Sequence, residues 1–241
     1  MLITVATAMY HEEDSVPLLI ENYAKLLAIA PKDWNFSFLF VDDGSKDRTV
    51  EVLSRCLPMD WNARVIQHEK NKGFGGALRT AIDHATGDVF VCYDADSTYQ
   101  VEDIVRLVHE LGNGWDVVSA NPFLTDKRLE RVPLWRQFMT LANAGLYKLS
   151  LGRGGRQVKI FSCAFRAYRM EIIKPMIFKS NGFGAASEVL GRLIIDKRKV
   201  LEVYSALSTR QFGESKMNVR KAIREHLRNV MLFAKIKYLN Y

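Results

Sequence analysis

Two aspartates one residue apart follow an apolar run, and their spacing could create a cation site. Residues 89–96 read Val-Phe-Val-Cys-Tyr-Asp-Ala-Asp, a predicted strand that ends in Asp94 and Asp96. Residues i and i+2 of a strand point to the same side, so the two carboxylates can converge on one point. Hard cations such as Mg²⁺ and Mn²⁺ prefer oxygen ligands and often share them with substrate phosphates. The pair therefore indicates a metal–diphosphate site, although a solvated turn explains the same spacing equally well.

The composition indicates a globular protein without a membrane-spanning segment. The 241 residues are 48% hydrophobic and 25% charged. No uninterrupted apolar run approaches the ~18–20 residues needed to span a bilayer. The N-terminus enters a strand pattern directly and lacks the features of a signal peptide. Three widely spaced cysteines and five scattered histidines predict neither a disulfide framework nor a zinc site, so we expect a reduced, cytoplasmic protein.

The net charge of +7 hides an asymmetry between the two halves of the chain. Residues 1–125 carry a net charge of −9, whereas residues 126–241 carry +16. An acidic half suited to a cation is thus joined to a basic half suited to phosphates or an anionic surface. The basic residues lack the interleaved aromatic side chains of a nucleic-acid stacking surface, so we expect no nucleic-acid partner.

Strand and helix patterns alternate through the first half. The predicted strands are 2–8, 36–41, 63–68, 88–93 and 116–119, and the predicted helices are 15–29, 47–57, 71–85 and 101–111. Strands separated by helices of roughly 10–15 residues predict right-handed βαβ units and an α/β fold with a mostly parallel sheet. The second half continues with helices at 134–149, 187–196 and 218–239 and strands at 157–168 and 200–209.

Two further polar segments lie where such a sheet binds ligands. Residues 42–45, Asp-Asp-Gly-Ser, end the second strand, where an Asp can accept a hydrogen bond from a nucleobase or ribose. A turn that caps the next helix is the more common explanation. Residues 71–76, Asn-Lys-Gly-Phe-Gly-Gly, precede a helix N-terminus, which favours anions. Their spacing matches neither the dinucleotide motif nor the P-loop, so a structural turn is an equal alternative.

The order of these segments is more specific than any one of them. It runs from Val-Ala-Thr-Ala-Met-Tyr-His-Glu-Glu at 5–13 through the segments that begin at residues 41, 71 and 87. Together they resemble the family 2 glycosyltransferases, over roughly residues 1–125. The resemblance implies the GT-A fold, a nucleotide-diphosphate sugar (UDP- or GDP-hexose) as donor, and a Mg²⁺ or Mn²⁺ ion held by Asp94 and Asp96.

The second half resembles one branch of that family. Residues 165–169, Phe-Arg-Ala-Tyr-Arg, and 210–216, Arg-Gln-Phe-Gly-Glu-Ser-Lys, are similar to the dolichyl-phosphate mannose synthase branch, which transfers a hexose to a polyprenyl phosphate. The resemblance implies that Ser162, Arg166 and Arg169 lie near the acceptor phosphate, with a solvated basic face as the alternative for the arginines. It implies catalytic roles for Asp96, Arg210 and Lys216. The implied donor site comprises Ala8, Tyr10, Glu12, Asp42, Asp43, Lys72, Gly73, Asp94, Ala95 and Ser215.

Several positions depart from the pattern of that branch. Residues 160–164, Ile-Phe-Ser-Cys-Ala, stand where Asp-Pro-Thr-Ser-Gly is common, so the acceptor pocket is altered. Residues 97–98, Ser-Thr, stand where Leu-Gln is common, which removes a candidate metal contact. The acceptor therefore stays open between a polyprenyl phosphate, which is favoured, and a surface glycan or glycolipid.

The resemblance implies a single displacement with inversion at the anomeric carbon. Negative charge grows on the leaving nucleoside diphosphate, and a divalent ion together with Arg210 and Lys216 would stabilise it. A lipid phosphate is already an anionic nucleophile, whereas a sugar hydroxyl needs a general base. Glu188 is the candidate base by position, with a structural role as the equal alternative. A non-catalytic subunit that binds nucleotide sugar is less favoured because the carboxylate pair and the cations are present.

The C-terminal segment, residues 215–241, predicts a basic amphipathic helix with a net charge of +6. An apolar stripe recurs at three- and four-residue spacing: Val219, Ile223, Leu227, Val230, Ala234 and Tyr238. Such a helix suits an anionic leaflet or a small membrane subunit, or it packs on the core. We expect a GT-A domain at 1–214, with a nucleotide-sugar and metal half (1–125) and an acceptor half (126–214), in a cytoplasmic protein peripheral at the membrane.

Overall fold

A seven-stranded sheet crosses the protein and helices cover both of its faces. The structure is a computed structural model that describes residues 1–124, 134–212 and 218–238. The strands are β1 (Leu2–Met9), β2 (Asn35–Asp42), β3 (Ala63–Gln67), β4 (Val89–Cys92), β5 (Val117–Asn121), β6 (Arg166–Arg169) and β7 (Val200–Tyr204). The helices are α1 (Val16–Ile29), α2 (Thr49–Cys56), α3 (Phe74–His84), α4 (Asp103–Gly112), α5 (Leu134–Leu151), α6 (Met170–Ile173), α7 (Gly184–Ile195) and α8 (Val219–Tyr238).

The strand order is β3-β2-β1-β4-β6-β5-β7, and only β6 runs against the other strands among the described residues. The five strands predicted in the first half are present within two residues of their expected ends. The connection from β1 leads to β2 on one side, whereas β4 pairs with β1 on the other. This arrangement creates a switch point at the carboxyl ends of the central strands, where open α/β sheets bind ligands.

The strand predicted over 157–168 is wrong in its extent, because only Arg166–Arg169 joins the sheet. The backbone amides of Lys159 and Ile160 donate to the Glu202 carboxylate at 2.7 and 2.9 Å instead of to a neighbouring strand. Residues 158–165 therefore form a loop. The antiparallel direction of β6 places Arg166 opposite Cys92, at the carboxyl end of β4, and Arg169 opposite Val89, at its amino end. The two arginines therefore lie at opposite ends of the strands.

Two apolar cores lie on the two faces of the sheet. One includes Tyr23 of α1 and Leu107 of α4, and the other includes Leu78 of α3, Leu190 of α7 and Phe233 of α8. Both faces are thus shielded from water, as a mostly parallel sheet requires.

Helix α8 is an integral part of the second core. It packs against α5 and α7, and its residues Ala222, Asn229 and Phe233 are buried. The apolar stripe expected from the sequence is divided, because Val230 packs against the second core whereas Ile223 and Leu227 are exposed. Across the described residues, every helix is too short or too polar to span a bilayer.

Candidate active site

A cavity of about 660 Å³ opens at the carboxyl ends of β1, β2 and β4. Its wall contains most of the residues that the sequence predicts for the site: Ala8, Tyr10, Glu12, Asp43, Gly73, Asp94, Ala95, Asp96, Ser162 and Arg210. Segments that are far apart in the sequence therefore converge on one place. Parallel strands whose carboxyl ends share one edge of the sheet explain this convergence.

The two aspartates after β4 both line the cavity. Asp96 is held by Thr98, whose amide and hydroxyl donate to Asp96 Oδ1 at 3.2 and 3.0 Å. Burial raises the pKa of Asp94 to about 7, the Asp96 charge adds to the rise, and Arg210 opposes it. Two carboxylates that repel each other in a partly buried site are stabilised by a cation.

Arg210 is the cation that the protein itself supplies beside this pair. Its guanidinium donates to the Glu12 carboxylate, and its Nε lies 4.0 Å from Asp96 Oδ2. The Ser15 hydroxyl donates to Glu12 at 2.8 Å, and Arg210 Nε donates to the carbonyl of Phe212 at 2.8 Å. Arg210 is thus held at the edge of the carboxylate pair, where a guanidinium can bind a diphosphate.

Asp43 anchors the glycine-rich loop that precedes α3. Its carboxylate accepts hydrogen bonds from the amides of Lys72 and Gly73 at 2.9 and 2.7 Å and pairs with Nδ1 of His68 at 2.7 Å. Gly73 has a φ of +82°, and a Cβ at this position would lie 2.3 Å from the carbonyl oxygen of Asn181. Only glycine fits there, so this turn is a requirement of the fold.

Asp42 and Lys72 lie beside the cavity wall and not in it, so their expected contact with the donor stays a prediction. The Asp42 carboxylate accepts hydrogen bonds from the hydroxyl and, at 3.1 Å, the amide of Ser45, so it closes the turn after β2. The Lys72 side chain is exposed, and its backbone amide binds Asp43. Asp42 thus shapes the site through its carboxylate and Lys72 through its backbone amide.

The expected acceptor-phosphate residues separate in the structure. Ser162 lines the cavity, but Arg166 is 0% exposed and donates to Ser119 Oγ and to the carbonyls of Ala186 and Phe161 at 3.0, 2.7 and 2.7 Å. A fully buried guanidinium with three internal acceptors cannot reach a phosphate. The assignment of Arg166 to the acceptor is therefore corrected to a role in the core.

Arg169 is also corrected, because β6 carries it away from the cavity. It pairs with Val89 at the amino end of β4 and donates to the carbonyls of Trp115 and Leu111 at 2.9 and 2.7 Å. These contacts tie β6 to the end of α4 and the start of β5. The arginine motif at 165–169 thus stabilises the sheet.

Glu188 has the structural role that the sequence left open beside catalysis. Its buried carboxylate accepts hydrogen bonds from the amides of Lys179 and Ser180 and from the Arg192 guanidinium, and it does not line the cavity. Burial raises the pKa of Glu188, but these hydrogen bonds outweigh it and leave the pKa below the ordinary 4.5. Glu188 organises the loop before α7.

The sequence prediction missed the contribution of the last helix to the cavity. Lys221, Ala222 and Glu225 of α8 line it beside Gly182 and Phe183. The basic character of residues 215–241 indicated an anionic partner, but which basic side chains of α8 line the cavity depends on how the helix packs. The predicted donor contacts Ser215 and Lys216 lie outside the described residues.

The residues of this edge fit a hard divalent cation. Asp94 and Asp96 offer carboxylate oxygens, and the part of the chain that the structure describes contains no group of three His, Cys, Asp or Glu side chains that could hold a metal. One or two carboxylates, completed by substrate phosphates and water, are the usual ligands of Mg²⁺. The site thus suits a cation that binds together with a phosphorylated substrate.

Comparison with known families is consistent with this geometry. A family described as glycosyl transferase family 2 matches residues 4–176, which is more than half of the chain. The chain belongs to glycosyl transferase family 2.

Curated relatives of this family 2 chain are named for polyprenyl phosphates. An undecaprenyl-phosphate 4-deoxy-4-formamido-L-arabinose transferase from Photorhabdus laumondii is 29% identical over 223 residues, 92% of this chain and 64% of the relative. A dolichol-phosphate mannosyltransferase from Pyrococcus furiosus is 28% identical over 232 residues, 95% of this chain and 63% of the relative. The resemblance to polyprenyl-phosphate glycosyltransferases is confirmed, and the chain spans less than two thirds of the length of these relatives.

Solved structures confirm the predicted GT-A fold of the family 2 chain. The glucosyl-3-phosphoglycerate synthase of Mycobacterium tuberculosis, in complex with Mn²⁺, UDP and phosphoglyceric acid, superposes with a TM-score of 0.68. It is 21% identical, over 95% of this chain and 78% of that chain. The same enzyme with Mg²⁺ and UDP also has a TM-score of 0.68, at 19% identity over 97% and 79% of the two chains.

Proposed function

We propose that this chain transfers a sugar from a nucleoside-diphosphate sugar to a polyprenyl phosphate, with a divalent cation and inversion at the anomeric carbon. The observation that carries the proposal is the convergence of Asp43, Glu12, Arg210 and the Asp94–Asp96 pair on one cavity at the switch point of the sheet. This set combines ligands for a hard cation with a guanidinium for a diphosphate.

The donor is a nucleoside-diphosphate sugar, and its leaving group, the nucleoside diphosphate, would lie beside the cation and Arg210. When bound, the cation neutralises the charge that develops on the leaving diphosphate. Arg210 would bind the same diphosphate, and Asp94 and Asp96 would hold the cation. The Mn²⁺ or Mg²⁺ and UDP in the related synthase support this assignment. The two curated relatives are named for different sugars, so the proposal names the glycosyl group only by class.

A phosphate acceptor is favoured over a sugar hydroxyl. An oxygen of the acceptor phosphate would attack the anomeric carbon as the bond to the diphosphate breaks, and no proton has to be removed. Glu188, the candidate base, is engaged by three donors outside the cavity. The names of the curated relatives also support a polyprenyl phosphate.

The same acceptor implies that the protein works at the cytoplasmic face of a membrane. Helices α5 and α8 pack against each other, and both expose large apolar side chains. Phe138 and Leu149 of α5 are 69% and 74% exposed, and Met231 of α8 is 59% exposed. Basic residues of α8, including Arg224 and Arg228, are exposed beside them and suit anionic headgroups. A small membrane subunit is the alternative occupant.

The experiment that tests the function measures sugar transfer by mass spectrometry. Purified protein is incubated with a panel of UDP- and GDP-sugars, Mn²⁺ or Mg²⁺, and a polyprenyl phosphate. We expect one donor to give a glycosylated lipid phosphate in the wild type and the Asp96→Asn variant to lose about 100-fold or more in kcat. Asp60→Asn, which removes an exposed carboxylate elsewhere, is the matched control. Full turnover by Asp96→Asn, or transfer only to a glycan hydroxyl, would contradict the proposal.

A further inference from the structure

The first turn of α8 forms a wall of the same cavity, and this wall includes the exposed Lys221. Asn218, Lys221, Ala222 and Glu225 line this wall. Asn218 caps the helix, because its side chain accepts a hydrogen bond from the Lys221 amide at 3.0 Å. Lys221 and Glu225 are four residues apart and so lie on one face of the helix.

The α8 wall, residues 218–225, is braced against the loop that leads into α7. Glu225 accepts hydrogen bonds from the amides of Gly182 and Gly184 at 2.9 and 3.0 Å. One turn further along, Asn229 donates to the carbonyl of Gly184 at 2.9 Å and accepts from the Ser180 hydroxyl at 3.1 Å. A Cβ on Gly182 would lie 2.6 Å from a Glu225 oxygen. The contact is tight on both sides, so Lys221 projects from a fixed support.

Lys221 is a cation of the cavity wall that forms no ion pair with a described side chain. The charged residues of the wall are Glu12, Asp43, Asp94, Asp96, Arg210, Lys221 and Glu225. Arg210 pairs with Glu12, and Glu225 is occupied by two backbone amides. Within residues 1–124, 134–212 and 218–238, no ion pair involves the Lys221 ammonium.

An apolar surface lies on the same wall. The rings of Phe74 and Phe183 stack in parallel, with centroids 5.7 Å apart and an interplanar angle of 2°. Both residues line the cavity, and Phe183 is 43% exposed. The α8 side of the cavity thus combines aromatic surface with a cation that forms no ion pair within the described residues, and these are the two features that a lipid phosphate needs from its binding site.

We infer that Lys221 binds the phosphate of the acceptor and determines the preference for a phosphorylated lipid. The inference rests on the proposed function and deepens it. It assigns the acceptor phosphate to a residue of α8 in place of Arg166 and Arg169, which donate to backbone carbonyls of the fold. Arg210 then serves the donor diphosphate and Lys221 the acceptor phosphate. The division keeps a separate cation for each of the two anionic substrates.

The test compares Lys221→Ala and Lys221→Arg with the wild type, using farnesyl phosphate as the acceptor. Lys221→Ala is expected to raise the KM for farnesyl phosphate about tenfold or more and to leave the KM for the donor unchanged, because a hydrogen bond to a charged group is lost. Lys221→Arg restores most of the affinity. Lys32→Ala, which removes an exposed cation before β2, is the matched control. An increase in the donor KM, or an unchanged KM for the acceptor, would overturn the assignment.

Direct binding separates this inference from the proposed function. Calorimetry of farnesyl phosphate and of farnesol is carried out on protein loaded with Mn²⁺ and UDP or GDP. Binding of farnesyl phosphate to the wild type but not to Lys221→Ala would support the subsite, whether or not any donor gives product. A lack of product with every donor would contradict only the proposed function. Equal binding of farnesyl phosphate and farnesol to both proteins would refute a phosphate subsite at Lys221.

Discussion

At the scale of single residues, the acceptors around each guanidinium decide whether an arginine serves a substrate or the fold. Arg210 reaches the edge of the cavity, where its partners Glu12 and Asp96 are part of the wall. Arg166 lies inside the protein and satisfies a hydroxyl and two carbonyls. A sequence motif shows that an arginine is present, but the hydrogen bonds of that arginine depend on segments that are distant along the chain.

Replacing Arg166 by methionine is expected to destabilise the protein without weakening acceptor binding. The substitution removes three buried hydrogen bonds of the guanidinium, to Ser119 Oγ and to the carbonyls of Phe161 and Ala186, and a hydrogen bond to a charged group contributes roughly 1.5–3 kcal/mol. Urea unfolding should show the loss, whereas the KM for farnesyl phosphate should stay at the wild-type value. Arg198→Met, at an exposed position after α7, is the control. A raised acceptor KM with unchanged stability would return Arg166 to the active site.

At the scale of elements, α8 is attached to both of its neighbours by specific contacts. On the α7 side, Gly191 allows close approach, since a Cβ there would lie 2.3 Å from the Phe233 ring. On the α5 side, the His226 ring packs edge-on against Tyr147, with Nδ1 3.0 Å from the tyrosine hydroxyl. The carbonyl of Leu151 accepts a hydrogen bond from Lys237 at 2.8 Å. The helix that carries Lys221 is therefore held along its whole length.

The contact between α5 and α8 is expected to weaken in mild acid. Burial lowers the pKa of His226 below the ordinary 6.5, and Glu225 opposes the shift. The unfolded chain thus binds a proton at pH values where the folded chain still keeps His226 neutral. The free energy of unfolding should fall as the pH decreases below 6.5, by at most about 1.4 kcal/mol per pH unit.

Urea unfolding of the wild type and of His226→Gln between pH 7.5 and 5.5 checks this prediction. The stability advantage of the wild type should shrink as the pH decreases, because only the wild type has the titrating imidazole. His109→Gln, at an exposed position of α4, should keep a constant difference from the wild type. Parallel pH profiles for the wild type and His226→Gln would contradict a buried neutral His226.

At the scale of the whole molecule, α8 has different neighbours on different faces. Its first turn lines the cavity, its buried face packs on the second core through Phe233, and an exposed stripe contains Ile223, Leu227 and Met231. A chain cut before α8 would lose Lys221 and expose the core, so truncation cannot isolate membrane binding. Substitutions confined to the exposed stripe can.

Leu227→Glu is expected to reduce flotation with anionic liposomes by about tenfold or more, because an apolar contact worth roughly 1.5–3 kcal/mol is replaced by a charge that the leaflet repels. Leu27→Glu is the control, since Leu27 is a similarly exposed leucine of α1. Stability and turnover of farnesyl phosphate should stay at wild-type values in both variants. Equal flotation of the two variants and the wild type would argue against this surface as the membrane contact.

The sequence by itself determined the alternating strands and helices and the carboxylates at the strand ends. These features depend on residues that are adjacent or one helical turn apart, so local spacing was enough to place Asp94, Asp96 and the glycine-rich loop. The tertiary structure alone decided the structural roles of Arg166 and Arg169 and the place of Lys221 in the cavity wall. These depend on the antiparallel direction of β6 and on the face by which α8 packs, and both are set by contacts between segments far apart in the chain.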